Sequence, residues 1–225
     1  MNKREQLNIN KKHEAKGVEF VDIDTVYIDK NVKIGKGTKL YPSVVLEGNT
    51  VLGENCSIGM GSHIKDSCVG DRVSIDHSVV KESRIGGDTS IGPFAYLRPG
   101  SDIGESCKIG DFVEIKNSTI GDGSKSSHLA YIDDSDLGKE VNVGCGVVFV
   151  NYDGKNKFRS TVEDGAFIGC NTNVVSPVNI GEKAYIGAGT TVRKDIKPKS
   201  LTVERGKTII KDKWVEETGL LEKNK

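Results

Sequence analysis

Apolar residues recur every six positions through most of this chain, and that spacing decides the fold class before anything else. Ile28, Ile34, Leu40, Leu46, Leu52, Ile58 and Ile64 are each followed, four residues on, by a small or β-branched residue: Val32, Thr38, Val44, Thr50, Cys56, Ser62 and Cys68. With occasional five-residue steps the beat continues through Val69, Ile75, Val80, Ile85, Ile91, Leu97, Ile103, Ile109, Ile115 and Ile120. It returns at Ile132, Leu137, Val143 and Phe149, and again at Val162, Ile168, Val174, Ile180, Ile186 and Val192. An amphipathic helix needs apolar residues three and four apart. One apolar residue in six fits a short strand and a tight turn. Three such units make a coil of about 18 residues, and stacked coils make a parallel β-helix of triangular section. The expected architecture is therefore all-β, with aliphatics on the prism axis and small residues near its corners. The 27 glycines then supply turn conformations.

Charge narrows the function. Lys plus Arg and Asp plus Glu each number 32 in 225 residues, a formal net charge of zero. No global basic surface is offered to nucleic acid or to an anionic membrane. No run of about 18 apolar residues is present to span a membrane. The charged opening MNKREQLNINKKHEAK does not read as a signal peptide, so the expected setting is the cytoplasm. Five cysteines without a CxxC pair argue against a disulfide framework or a zinc site. Cys56, Cys68 and Cys107 fall on the small position of the repeat and read as buried small side chains.

The expected organisation is a helix or linker over 1–17, a β-helix over 18–198 and an arm and tail over 199–225, in which Trp214 anchors the tail. One excursion, 150–161, interrupts the beat by seven residues between Phe149 and Val162. Residues one coil apart should stack about 4.8 Å apart. Counting forward from Ile109 then places His128, Cys145, Cys170 and Ala188 in one column along one edge. A histidine followed by three small residues, spanning roughly 14 Å, suits a base at the head of a track for an extended thioester arm. Arg98 and Lys116 stack on the next face, a pair suited to a phosphate or carboxylate.

The segments IGPFAYLRPG (91–100), GDFVEIKNSTIGDGSKSSHLAYI (110–132), VNVGCG (141–146), NYDGKNKF (151–158), EDGAFIGCNTNVVSPV (163–178) and AGTTV (188–192) carry a close resemblance. They resemble the C-terminal acetyltransferase half of the bacterial bifunctional N-acetylglucosamine-1-phosphate uridyltransferase / glucosamine-1-phosphate N-acetyltransferase, a hexapeptide-repeat acyltransferase. The resemblance implies a left-handed β-helix and a homotrimer with active sites between subunits. It implies acetyl transfer from acetyl-CoA to glucosamine 1-phosphate, for UDP-N-acetylglucosamine and cell-wall precursor synthesis, without a required metal. His128 matches the base. Arg98, Lys116, Glu114, Tyr131, Asn142, Asn151 and Lys157 match the sugar-phosphate set. Cys145, Asn151, Tyr152, Cys170, Ala188 and Arg205 match the acetyl-CoA set. The nucleotide loop and acidic metal ligands of the uridyltransferase half have no counterpart here, so that activity is not expected. Cys145 and Cys170 stand where relatives often have Ala and Ser. Asp133 stands where Gly is usual, one coil after Lys116, with which it is expected to pair.

Three other readings compete. A hexapeptide acyltransferase acting on another amino sugar would share the scaffold. A non-catalytic structural trimer would need no base. A β-helical zinc enzyme would need three converging histidines. His63 reads as position six, while His77 and His128 read as position three of different faces, so no such set is expected.

Overall fold

The computed structural model describes residues 2–206 and 209–218. Among them the chain forms thirty strands of two to four residues and two helices. Strands up to Thr191–Val192 are dealt in rotation to three parallel sheets. Sheet A has eleven strands, from Glu19–Phe20 to Leu201–Thr202. Sheet B has ten, from Tyr27–Ile28 to Thr191–Val192, and sheet C has nine, from Lys33–Ile34 to Asn179–Ile180. This is the all-β, left-handed parallel β-helix that the beat and the resemblance implied.

Register follows the stacking arithmetic. Ile109, Ser126, Val143, Ile168 and Ile186 are successive partners in sheet A. Ile120, Leu137, Val162 and Ile180 are successive partners in sheet C, so the excursion after Phe149 inserts residues without shifting the frame. The axis aliphatics form one buried core along the prism. Strands this short satisfy their backbone through the neighbouring coils, as where Gly35 N donates to Leu52 O at 2.9 Å.

The small corner position has a chemical reason as well as a steric one. Thr38 Oγ1 donates to Gly53 O at 2.8 Å and accepts from Cys56 N at 3.0 Å, bridging to the next coil. Only a short side chain with a donor can do this. Cys56 and Cys107 use thiols instead, donating to Gly70 O at 3.1 Å and Gly121 O at 3.3 Å. Burial pushes both thiols up, away from reactivity. Cys68 does not belong with them. The five-residue step from Ile64 to Val69 moves it onto the outer face of sheet C, exposed and in register with Arg84. Ser67 fills the buried slot instead.

The residue after each axis aliphatic divides the faces. Sheets A and C mostly carry glycine there, because the next coil passes too close for a side chain. A Cβ on Gly121 would lie 2.4 Å from the carbonyl carbon of Gly138. Sheet B carries Lys65, Lys81, Arg98, Lys116 and Asp133 at the same place, one per coil. It is therefore the face able to display chemistry.

Helix α1 (Lys3–Glu14) begins with a capping box on Asn2. Its buried Asn10 donates to Ile23 O and Val26 O, both at 2.9 Å, and so closes the first coil. Helix α2 (Trp214–Thr218) buries no residue and leaves Trp214 44% exposed, so among the described residues Trp214 does not anchor the tail on the prism. Of the C-terminal segment, 207–208 and 219–225 lie outside the described residues.

One axis position breaks the pattern. Ser126 sits between Ile109 and Val143, 2% exposed, and its hydroxyl has no hydrogen-bond partner. An unpartnered buried hydroxyl costs about 1–3 kcal/mol. Ser126→Val is expected to stabilise the fold by ~1 kcal/mol and to raise Tm by roughly 2–4 °C. Calorimetry showing a lower Tm would mean that the slot cannot take the added methyl groups.

Candidate active site

His128 ends its strand (Lys125–His128) at the edge between sheets A and B, with its side chain 61% exposed. Its ring Nδ1 lies 2.5 Å from Oδ1 of Asp111, the residue stacked on it one coil earlier. With Nδ1–H donating to the carboxylate, Nε2 is left as a proton acceptor facing solvent. The same hydrogen bond holds the Asp111 carboxyl below the usual carboxylate range. Gly110 makes the approach possible: a Cβ there would lie 1.9 Å from Ser127 O. Asp111 was legible as well, since the count that stacked Cys145 on His128 also stacks His128 on Asp111.

Extending the observed register, Cys145, Cys170 and Ala188 follow His128 in the same column, and all three are exposed. Leu201–Thr202 adds the next rung, pairing with Tyr185–Ile186. Arg205 therefore lies just past the column's far end, exposed. On the coils leading up to His128 runs a ridge of Phe94, Phe112 and Leu129, exposed at 55, 58 and 58%. All three adopt left-handed backbone, at φ 60, 56 and 40°, which bulky residues rarely do. The rings of Phe94 and Phe112 stack at 5.5 Å.

Sheet B presents the second group. Tyr96, Glu114 and Tyr131 are in-register neighbours, as are Arg98, Lys116 and Asp133. Arg98 Nη1 donates to Glu114 Oε1 at 2.7 Å, and this bond holds the guanidinium further above its already high range. Asp133 is fully buried, but it does not pair with Lys116 as the sequence suggested. Lys157, reaching back from the excursion, donates to it at 3.2 Å and approaches Asp134 at 3.6 Å. The excursion lies outside the stacking count, which is why the partner is Lys157 and not the in-register lysine. Among the described residues Lys116 makes no ion pair within 4.0 Å.

The excursion is tied down rather than loose. Asn151, 5% exposed, donates to Asp134 Oδ2 at 2.6 Å, and Asn117 donates to Oδ1 at 2.5 Å. Burial alone would raise the Asp134 carboxyl; these two amides, with Lys157, outweigh it and hold it below the usual range. Arg159 pairs with Asp136, and Tyr152, 56% exposed, bridges to Lys157 across the loop.

Asn142 lies on sheet A, in register with Lys125 and Phe167, while the rest of the sugar-phosphate set lies on sheet B or the excursion. One expectation changes. His77 shares sheet A with His128 rather than lying on a different face, because Ile75, Ile91, Ile109 and Ser126 are successive partners. The two histidines are still three coils apart, about 14 Å. No group of three or more metal-ligating side chains occurs among the described residues.

A family model described as the GMPPB C-terminal domain matches residues 22–101, and one described as bacterial transferase hexapeptide (six repeats) matches 159–194. The bifunctional protein GlmU of Clostridioides difficile is 51% identical over 208 residues, covering 92% of this chain and 45% of that protein. GlmU of Acetivibrio thermocellus is 50% identical over 217 residues, covering 96% of this chain and 47% of that protein. The chain thus spans about half the length of the curated relatives it matches. Among solved structures, the Francisella novicida UDP-N-acetylglucosamine acyltransferase superposes with a TM-score of 0.57 at 19% identity, covering 80% of this chain and 65% of that one. A Bacteroides fragilis UDP-N-acetylglucosamine acyltransferase gives 0.52 at 18%, covering 79% and 69%. These two likenesses are of fold alone.

Proposed function

The chain belongs with the GlmU proteins, as the counterpart of about half the length of one, and from that premise we propose that it is a glucosamine-1-phosphate N-acetyltransferase using acetyl-CoA. The observation that carries this reading is the edge column, with Asp111 behind His128 and three small exposed residues ahead of it. Asp111 fixes the tautomer. Nε2 of His128 takes a proton from the sugar amine as its nitrogen attacks the thioester carbonyl. The new C–N bond forms, the tetrahedral intermediate collapses and the C–S bond breaks. CoA leaves as the thiolate and takes up the proton from His128.

The acetyl-CoA arm lies along Cys145, Cys170 and Ala188, with Arg205 at the phosphate end and Asn151 and Tyr152 beside the acetyl group. Arg98 and Lys116 hold the sugar phosphate, with Glu114, Tyr131 and Lys157 around the ring. The open position of the His128 edge, and the placing of Asn142 on a different sheet from the rest of the acceptor set, support a homotrimer whose sites are completed between copies. Residues 18–198 act as the catalytic unit, 1–17 as its entry and 199–225 as its arm. Solubility in the cytoplasm fits this role, and no helix among the described residues is long and apolar enough to cross a membrane.

The test is release of the CoA thiol from acetyl-CoA with glucosamine 1-phosphate, glucosamine 6-phosphate and free glucosamine as acceptors. Preference for free glucosamine would sink the assignment. A second reading, an acyltransferase for a less charged amino sugar, draws on one observation: Arg98 and Lys157 are already paired with carboxylates. Asp111→Asn is expected to lower kcat about 10–100-fold, part of the 10²–10⁴ that a positioned base contributes. KM for acetyl-CoA should stay within about twofold, since Asp111 acts through His128. A loss confined to KM would remove Asp111 from this role.

A further inference from the structure

The acceptor face of sheet B holds three cations, Arg98, Lys116 and Lys157, and three carboxylates, Glu114, Asp133 and Asp134. Each carboxylate is engaged by at least one of these cations or by neutral donors. The formal charges cancel, so a phosphate arriving here meets no net positive site. Asp133 is the member that makes this so. Its side chain is 1% exposed and takes three donors: Tyr131 Oη at 3.0 Å, Lys157 Nζ at 3.2 Å and Asp134 N at 2.9 Å. Those three donors compensate a carboxylate taken out of contact with water. Asp133 also lies in register with Lys116, one coil beyond it and two coils beyond Arg98.

We propose that Asp133 sets how strongly this site favours a phosphorylated acceptor, by drawing the Lys157 ammonium inward and leaving only Arg98 and Lys116 to meet the phosphate. This rests on the acetyltransferase reading for the identity of the acceptor, but not for the anion chemistry. The lysine and the carboxylate form an internal substitute for part of the ligand. A phosphate that reaches Lys157 must displace Asp133 or sit against it, and both cost affinity.

Inorganic phosphate is the probe, titrated calorimetrically into the wild type, Asp133→Asn and the double variant Asp133→Asn/Lys157→Met. Asparagine keeps the shape and one acceptor oxygen while removing the charge. Asp133→Asn is expected to bind phosphate about tenfold more tightly, and the double variant to lose that gain. In the acetyl-transfer assay, KM for glucosamine 1-phosphate should fall about tenfold in Asp133→Asn, while KM for glucosamine stays within about twofold. A folded Asp133→Asn with unchanged or weaker phosphate affinity overturns the proposal, as does a gain that survives in the double variant. If Asp133→Asn does not fold, the wild type decides. A charge-compensated site should lose less than about fivefold in phosphate affinity as NaCl rises from about 0.05 to 0.5 M, and a steeper loss overturns the proposal. Should the wild type fail to acetylate glucosamine 1-phosphate, the activity reading falls, while the phosphate titrations still decide the role of Asp133.

Discussion

His128→Ala is expected to lower kcat for acetyl transfer by roughly 10²–10⁴-fold, with the fold unchanged. The two halves of that result have separate causes. The side chain is largely exposed and sits at a strand end, so its removal leaves no cavity and strands no buried donor. Its one polar partner, Asp111, is itself partly open to water and can be resolvated. The chemical half follows from the amine, whose proton must leave as the C–N bond forms. Without Nε2 that proton goes to water, a base with no fixed position. Thiol-release kinetics with glucosamine 1-phosphate, beside far-UV circular dichroism, separate the two. A variant that retains the wild-type rate would leave the prism with a structural role only.

Phe149→Ala should be the most damaging single core truncation, destabilising by about 3–5 kcal/mol. Phe149 is the one aromatic among the buried axis residues, at 0% exposure. Its neighbours along sheet B are Ile132, by extension of the Tyr131–Val148 register, and Val174. The prism walls are fixed by backbone hydrogen bonds between coils, so they cannot close on the space that a missing ring leaves. The residue also precedes the excursion, so its strand holds one foot of the loop that carries Asn151 and Lys157. Denaturant unfolding should show the loss, with Tm falling by roughly 6–20 °C for a domain of this size. Phe149→Leu should cost far less, about 1.5 kcal/mol or below. Equal costs for the two would mean that the axis is softer there than the register implies.

Much of this was legible because a six-residue beat is a spatial ruler. Once Ile109 was set on one face, the sheet of every later aliphatic followed by counting, and the observed partners agree through Ile186. What the ruler does not measure is side-chain reach. Lys157 lies on a loop outside the count, so its bond to the buried Asp133 was assigned to Lys116, the in-register neighbour. Five-residue steps were the other source of error. They moved Cys68 from a buried corner to an outer face, because one residue fewer exchanges a corner place for a strand place. The Asp111–His128 contact needed no new principle, only the same count run backwards by one coil. Asn142 was grouped by resemblance rather than by counting, and the count places it on sheet A, which is where it lies.

The glycines of sheets A and C confine change as well as shape. At Gly121 or Gly110 any side chain collides with the next coil, so selection there can only preserve what exists. Along sheet B the equivalent places hold Lys65, Lys81, Arg98 and Lys116, all at least partly exposed, so exchanging one for another buries no charge. Variation in what the prism recognises can therefore accumulate in one stripe while the scaffold stays constant. A library randomised at Lys65, Lys81, Arg98 and Lys116 should yield mostly folded proteins that differ in acceptor, whereas the same library at the glycines should yield mostly unfolded ones.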